Sequence, residues 1–212
     1  MRRLPVYLLL DVSGSMRGEP IMAVNEGVKS LVGMLRQNPY ALETVFLSLI
    51  SFNNTVEQTV PLMELGNFVA PELQAHLGTY LGKAIKFLSQ KTEEEVVRNS
   101  KETKGDWKPL VFMMSDGRSG DKVAKALPEF NRHLFGNILI CAMGKNPNIE
   151  VLKQISNSVV QMQDVNPETV RDFFKWMSAT VVTTSTKIAE RNSDDVVMDE
   201  LPPLPDKINL VK

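Results

Sequence analysis

Leu8-Leu9-Leu10-Asp11-Val12-Ser13-Gly14-Ser15-Met16 ends an apolar run on a carboxylate and follows it with two hydroxyls at alternate positions. The run begins at Leu4, contains Val6 and Tyr7, and shows no polar alternation, so it reads as a strand covered on both faces, as in a parallel sheet. Open α/β sheets place their ligands at the carboxyl ends of such strands. Asp11, Ser13 and Ser15 therefore project oxygen atoms from one short loop at a ligand-binding edge. Oxygen donors without His or Cys suit a hard divalent ion, Mg²⁺ or Mn²⁺, better than Zn²⁺.

Working outward, Gly18-Glu19-Pro20 starts a helix, and Ile21, Val24, Val28, Leu31, Val32 and Leu35 recur at helical spacing until Asn38-Pro39. A second β-rich run, Thr44 to Phe52, turns at Asn53-Asn54 into Thr55 to Pro61, whose alternation predicts an antiparallel edge solvated on one face. Leu65 to His76 reads as irregular chain, and Gly78-Thr79-Tyr80-Leu81-Gly82 opens a helix through Leu81, Ile85 and Leu88. The charged stretch from Lys91 to Lys104 reads as a solvated face and loop.

Leu110 to Met114 is another apolar run that stops at a carboxylate, in Ser115-Asp116-Gly117. A short helix over about Asp121 to His133, a strand over Ile138 to Met143, a helix near Ile149 to Ile155 and a strand around Val159 to Met162 follow. From Pro167, the residues Val170, Phe173, Phe174, Met177 and Val181 mark a last amphipathic helix ending near Lys187. The expected fold is α/β: a doubly wound, Rossmann-like, mostly parallel six-stranded sheet with one antiparallel edge strand and helices on both faces. Residues 1–187 would form this one domain, and 188–212 an acidic, proline-containing flexible tail.

The bulk composition excludes several classes of function. Twenty-four Lys and Arg against 25 Asp and Glu, scattered along the 212 residues, leave no electrostatic footprint for nucleic acid. Cys141 is the single cysteine and sits in an apolar run, which points to a buried thiol and a reducing compartment. Met1-Arg2-Arg3 before Leu4 to Leu10 imitates a signal peptide, but Pro5 interrupts the run and Asp11 ends it without a cleavage site. No other run approaches membrane-spanning length, so no direct membrane insertion is expected.

Two strands ending in carboxylates become neighbours where the winding of such a sheet reverses, and the crevice between them would hold Asp11, Ser13, Ser15 and Asp116. Thr79, at a helix start, reaches the same crevice. Taken singly, the serines read as turn or cap residues, Thr79 as a helix cap and Asp116-Gly117 as a turn. Together they read as a metal site.

At these residues the chain resembles a von Willebrand factor type A domain, whose metal-ion-dependent adhesion site has the pattern Asp-x-Ser-x-Ser, a Thr and a later Asp. The resemblance covers about residues 4 to 187. It implies Ser13, Ser15 and Thr79 as direct ligands, with Asp11 and Asp116 acting through water or behind the first ligands. Ser115 stands where threonine is common, and Leu77-Gly78 precedes Thr79 where small polar residues are more usual. Arg2-Arg3-Leu4-Pro5-Val6-Tyr7-Leu8, Met16-Arg17-Gly18-Glu19-Pro20-Ile21, Gly105-Asp106-Trp107-Lys108-Pro109 and Phe173-Phe174-Lys175-Trp176 further resemble the bacterial TerY-like tellurium-resistance subfamily.

The resemblance implies a cytoplasmic, non-enzymatic, Mg²⁺-dependent binding module that captures a carboxylate of a protein partner and works beside a kinase and phosphatase of the same gene cluster. The competing reading is a Mg²⁺-dependent phosphotransferase or phosphatase using Asp11. It lacks a second carboxylate, because Ser13 occupies that position. A third reading lets Asp194, Asp195, Asp199 or Glu200 of the tail reach the metal of a neighbouring copy and cause self-association.

Overall fold

In the computed structural model, which describes residues 2–133, 135–191 and 200–211, one sheet runs through the molecule. Its strands are β1 (Leu4–Asp11), β2 (Val45–Phe52), β3 (Val56–Glu64), β4 (Leu110–Ser115), β5 (Asn137–Met143), β6 (Ser158–Met162) and β7 (Ile208–Leu210). The helices are α1 (Glu19–Arg36), α2 (Pro39–Thr44), α3 (Leu81–Glu95), α4 (Leu127–Phe130), α5 (Ile149–Ile155) and α6 (Pro167–Arg191). The spatial order is β3-β2-β1-β4-β5-β6-β7, with β2, β1, β4, β5 and β6 parallel. The winding reverses between β1 and β4, which pair directly, as the two carboxylate-terminated runs require.

Strand β1 explains why the sheet has two covered faces. Every one of its residues is buried. Leu4, Val6, Leu8 and Leu10 pack with α1 and α6 on one face, while Tyr7 and Leu9 pack with α3 and α5 on the other. A period of two with apolar residues in both phases produces this division. Cys141 is buried among them, and desolvation pushes its thiol up, away from reactivity at neutral pH.

Among the described residues the sheet has seven strands rather than six, and both edges are antiparallel rather than one. The extra strand comes from the stretch expected as a flexible tail. Ile208 is buried, Leu201 and Leu204 pack against the core, and Trp176 Nε1 donates to Pro202 O at 2.9 Å. Arg191 pairs with Glu200, and Lys207 pairs with Glu168 at 2.7 Å. Apolar residues at wide spacing among prolines lack a periodic signal, yet they suffice to lay the chain along β6. Asp194, Asp195 and Asp199 lie outside the described residues.

Local differences have local causes. Asn38-Pro39 ends α1 as expected but also starts α2: the Asn38 side chain accepts from Ala41 N at 2.9 Å, with Pro39 in the first turn. The helix expected over Asp121 to His133 is divided into a 3₁₀ turn at Val123–Lys125 and the short α4. Pro128 cannot donate to an uninterrupted helix, so it sits in the first turn of a new one. The third strand continues past Pro61 to Glu64 through an irregular register with β2, as an edge strand can.

Asn25 of α1 shows how the irregular segment after β3 is held. Its side chain accepts from Leu73 N and donates to Leu73 O, both at 2.9 Å, copying the pairing of a neighbouring strand. Asn25→Ala would strand both backbone groups in a buried place, at a cost of about 2–3 kcal/mol. Urea denaturation should show that loss as a lower midpoint at unchanged slope.

Candidate metal centre

Asp11 ends β1 only 2% exposed. Its Oδ1 accepts from Ser13 N at 2.9 Å, closing the tight turn that follows the strand, and its Oδ2 accepts from Ser115 Oγ at 2.7 Å. The carboxylate is thus oriented by its own loop and by the adjoining strand. Burial pushes its pKa up to about 6 from 3.8; the hydrogen bonds from Ser13 and Ser115 oppose the shift, and the charge of Asp116 adds to it. Ser13 Oγ and Ser15 Oγ stand 3.1 Å apart.

The loop after β4 is built around Gly117, whose φ of 71° and close approach to Asn148 O exclude a side chain. Ser115 Oγ accepts from Gly117 N, Asp116 Oδ1 accepts from Arg118 N at 2.9 Å, and Asp116 O accepts from Asn148 N. Ser115 is the residue missed as part of the expected site. Its signal was a hydroxyl immediately before Asp116, on the strand that neighbours β1.

Thr79 arrives on a segment tied at three places. His76 N donates to Val12 O, Tyr80 N to Asn53 O, and Gly120 N to Thr79 O at 2.7 Å. Gly78, at φ 82°, lets this segment pass the Asn54 side chain. Asp11, Ser13, Ser15 and Ser115 are joined by direct hydrogen bonds, and Asp116 by its field at Asp11 and a cavity it shares with Ser15. Thr79 is joined to the neighbouring loops through its backbone.

A cap supplied from a distance links the Thr79 and Asp116 loops. Tyr80 at the start of α3 makes no side-chain cap. Instead Leu81 N donates to Ser119 Oγ, Gly82 N to Asp121 Oδ1 and Lys83 N to Asp121 Oδ2. A β-carbon at Gly82 would lie 2.9 Å from Asp121 Oδ2, so a side chain there would displace the capping carboxylate. Asp121→Ala should cost about 1–2 kcal/mol through the lost cap and helix-dipole contact, readable as a lower melting temperature.

The donor set fits a hard cation. In an octahedral ion with ligands at about 2.1 Å, neighbouring donors stand about 3.0 Å apart, so the two serine hydroxyls, hydrogen-bonded to each other at 3.1 Å, could serve as neighbouring ligands without being drawn together. Among the described residues no group of three or more His, Cys, Asp or Glu is arranged to hold a metal ion. Here the carboxylates are two, and hydroxyls make up the set.

A family model of the von Willebrand factor type A domain matches residues 6–176. The chain belongs to that family. No curated protein matches it. Among solved structures, this A domain is similar to a von Willebrand factor type A protein from Catenulispora acidiphila, at 17% identity and TM-score 0.65, over 86% of this chain and 43% of that one. It is similar to proximal thread matrix protein 1 of the mussel byssus, with a zinc-occupied MIDAS motif, at 17% identity and TM-score 0.59, over 85% and 48%. BatB from Bacteroides thetaiotaomicron matches at 13% identity and TM-score 0.56, over 87% and 99%. The chain spans less than half the length of the first two, and at these identities the likeness is one of fold. No helix among the described residues of the A domain is long and apolar enough to cross a membrane.

Proposed function

We propose that this A domain is a metal-dependent protein-binding module: Ser13, Ser15 and Thr79 hold a divalent ion, Mg²⁺ or Mn²⁺, with Asp11 and Asp116 behind them, and a partner carboxylate completes the coordination. The observation that carries the reading is the loop after β1, whose carboxylate is fixed from two strands and whose two serine hydroxyls stand side by side. An ion held directly by neutral hydroxyls keeps most of its charge for an incoming anion. The zinc-occupied motif of the mussel protein supports a divalent ion at this place in the fold.

The enzymatic alternative fares worse on geometry. A nucleophilic Asp11 would have to face its substrate, whereas both of its oxygens are engaged by Ser13 N–H and Ser115 Oγ and the side chain is buried. The resemblance of four segments to the TerY-like subfamily supports a role for the module in a cytoplasmic tellurium-resistance or stress system, with a kinase and phosphatase as its candidate partners. Self-association through the tail would rest on Glu200 among the described residues, and Glu200 is already paired with Arg191.

The test is retention of partners from source-cell lysate on the immobilised protein in Mg²⁺, in EDTA and with Asp11→Ala. Partners lost in both of the latter conditions are expected. Retention in all three would refute the reading.

A further inference from the structure

Ser15 and Asp116 also line a cavity of about 280 Å³ that opens beside the metal centre. Met16, Pro20, Met143 and Val165 supply its apolar wall, and Arg118 and Lys145 supply cations. The Arg118 guanidinium donates to Asn146 O at 3.1 Å, which ties it to the loop after β5 that also lines the cavity, and both cationic side chains belong to exposed residues.

Charge selects the occupant. Without an ion, the carboxylates of Asp11 and Asp116 balance Arg118 and Lys145. A divalent ion leaves two positive charges in excess, and a single captured carboxylate neutralises only half of them. The apolar wall calls for an uncharged side chain between the two anionic groups. A cavity of that volume is roughly 8 Å across, and alternate residues of an extended strand stand about 6.7 Å apart on one face.

Resting on the metal-dependent reading above, we propose that the site recognises an extended acidic peptide segment: one carboxylate on the ion, an apolar side chain two residues away in the cavity, and a second carboxylate two residues further at Arg118 and Lys145. The arrangement makes the metal a switch for charge complementarity as well as a ligand position. It also explains why a methionine-lined hollow lies directly beside a polar centre.

The peptide acetyl-Glu-Ser-Leu-Ser-Glu-amide reads the same way for the three groups in either direction and serves as the probe. Calorimetric or NMR titration in MgCl₂ should show binding that vanishes in EDTA and in Asp11→Ala. Replacing its Leu by Gly should weaken binding about tenfold, the loss expected for one partly buried leucine. Lys145→Gln should weaken the two-Glu peptide about fivefold and shift the version with one Glu replaced by Gln less than twofold. Equal Mg²⁺-dependent binding of all three peptides would overturn this proposal and leave carboxylate capture standing. Absent binding up to roughly 10 mM, or binding indifferent to EDTA and to Asp11→Ala, would overturn both.

Discussion

Gly27→Ala is expected to destabilise the protein by about 3 kcal/mol, although alanine is the better helix former by about 1 kcal/mol. A β-carbon at Gly27 of α1 would overlap Cδ2 and Cε2 of Phe174, whose ring is fully buried between α1 and α6. Neither the ring nor the helix can give more than an ångström without disturbing the core that covers β1. Gly33, in the same helix, is exposed and has nothing within 4 Å of its would-be β-carbon. Gly33→Ala should therefore stabilise by about 0.5–1 kcal/mol. Thermal melts of the two variants should move in opposite directions, Gly27→Ala downward by roughly 6–12 °C for a chain of this size. Phe174→Leu added to Gly27→Ala should cost less than the sum of the single changes. Two melts that both rise would show that α1 and α6 do not meet at this glycine.

Asp11→Asn should separate stability from function in opposite senses. The neutral amide can accept from Ser13 N–H and turn its N–H₂ to Ser115 Oγ, so the local hydrogen bonds survive in kind. In the wild-type protein, burial raises the folded-state pKa of Asp11 to about 6 from 3.8, so the folded state binds a proton the unfolded state has already lost. The metal-free protein is accordingly at its most stable, as far as this group goes, below pH 3.8. It loses that contribution as pH rises through about 6. At about 1.4 kcal/mol per unit the loss is bounded near 3 kcal/mol, and Asn avoids it.

The metal-free variant should thus melt a few degrees above wild type at pH 7, with the difference vanishing near pH 4. Adding Mg²⁺ at about 100 times its dissociation constant should raise wild-type stability by about 2.7 kcal/mol. The variant, with metal affinity down about 100-fold, should gain a few tenths of a kcal/mol. Denaturation at pH 4 and pH 7, with Mg²⁺ and with EDTA, reads both effects. A variant that gains as much from Mg²⁺ as wild type would remove Asp11 from the metal centre.

The sequence by itself determined the parallel centre of the sheet and the loop at its carboxyl edge. Two apolar runs stopping at Asp11 and Asp116 could be neighbours only in a doubly wound order, because buried parallel strands need crossovers on both faces. The candidate donors Asp11, Ser13, Ser15, Thr79 and Asp116 were legible because each offers a hard oxygen at a strand end or a helix start.

Tertiary structure decided what depends on partners distant in the chain. Ser115 became part of the site when β4 lay against β1, and Asp121 became a helix cap when its loop reached α3. Gly27 changed from a weak helix position to a required one only against Phe174. Residues 200–211 joined the fold because Ile208, Leu201 and Leu204 found an uncovered edge, a gain that no periodicity within the segment announces. Local pattern records which atoms a residue offers to its near neighbours. Burial, close approach and charge balance arise between elements, and they exist only once the chain has folded.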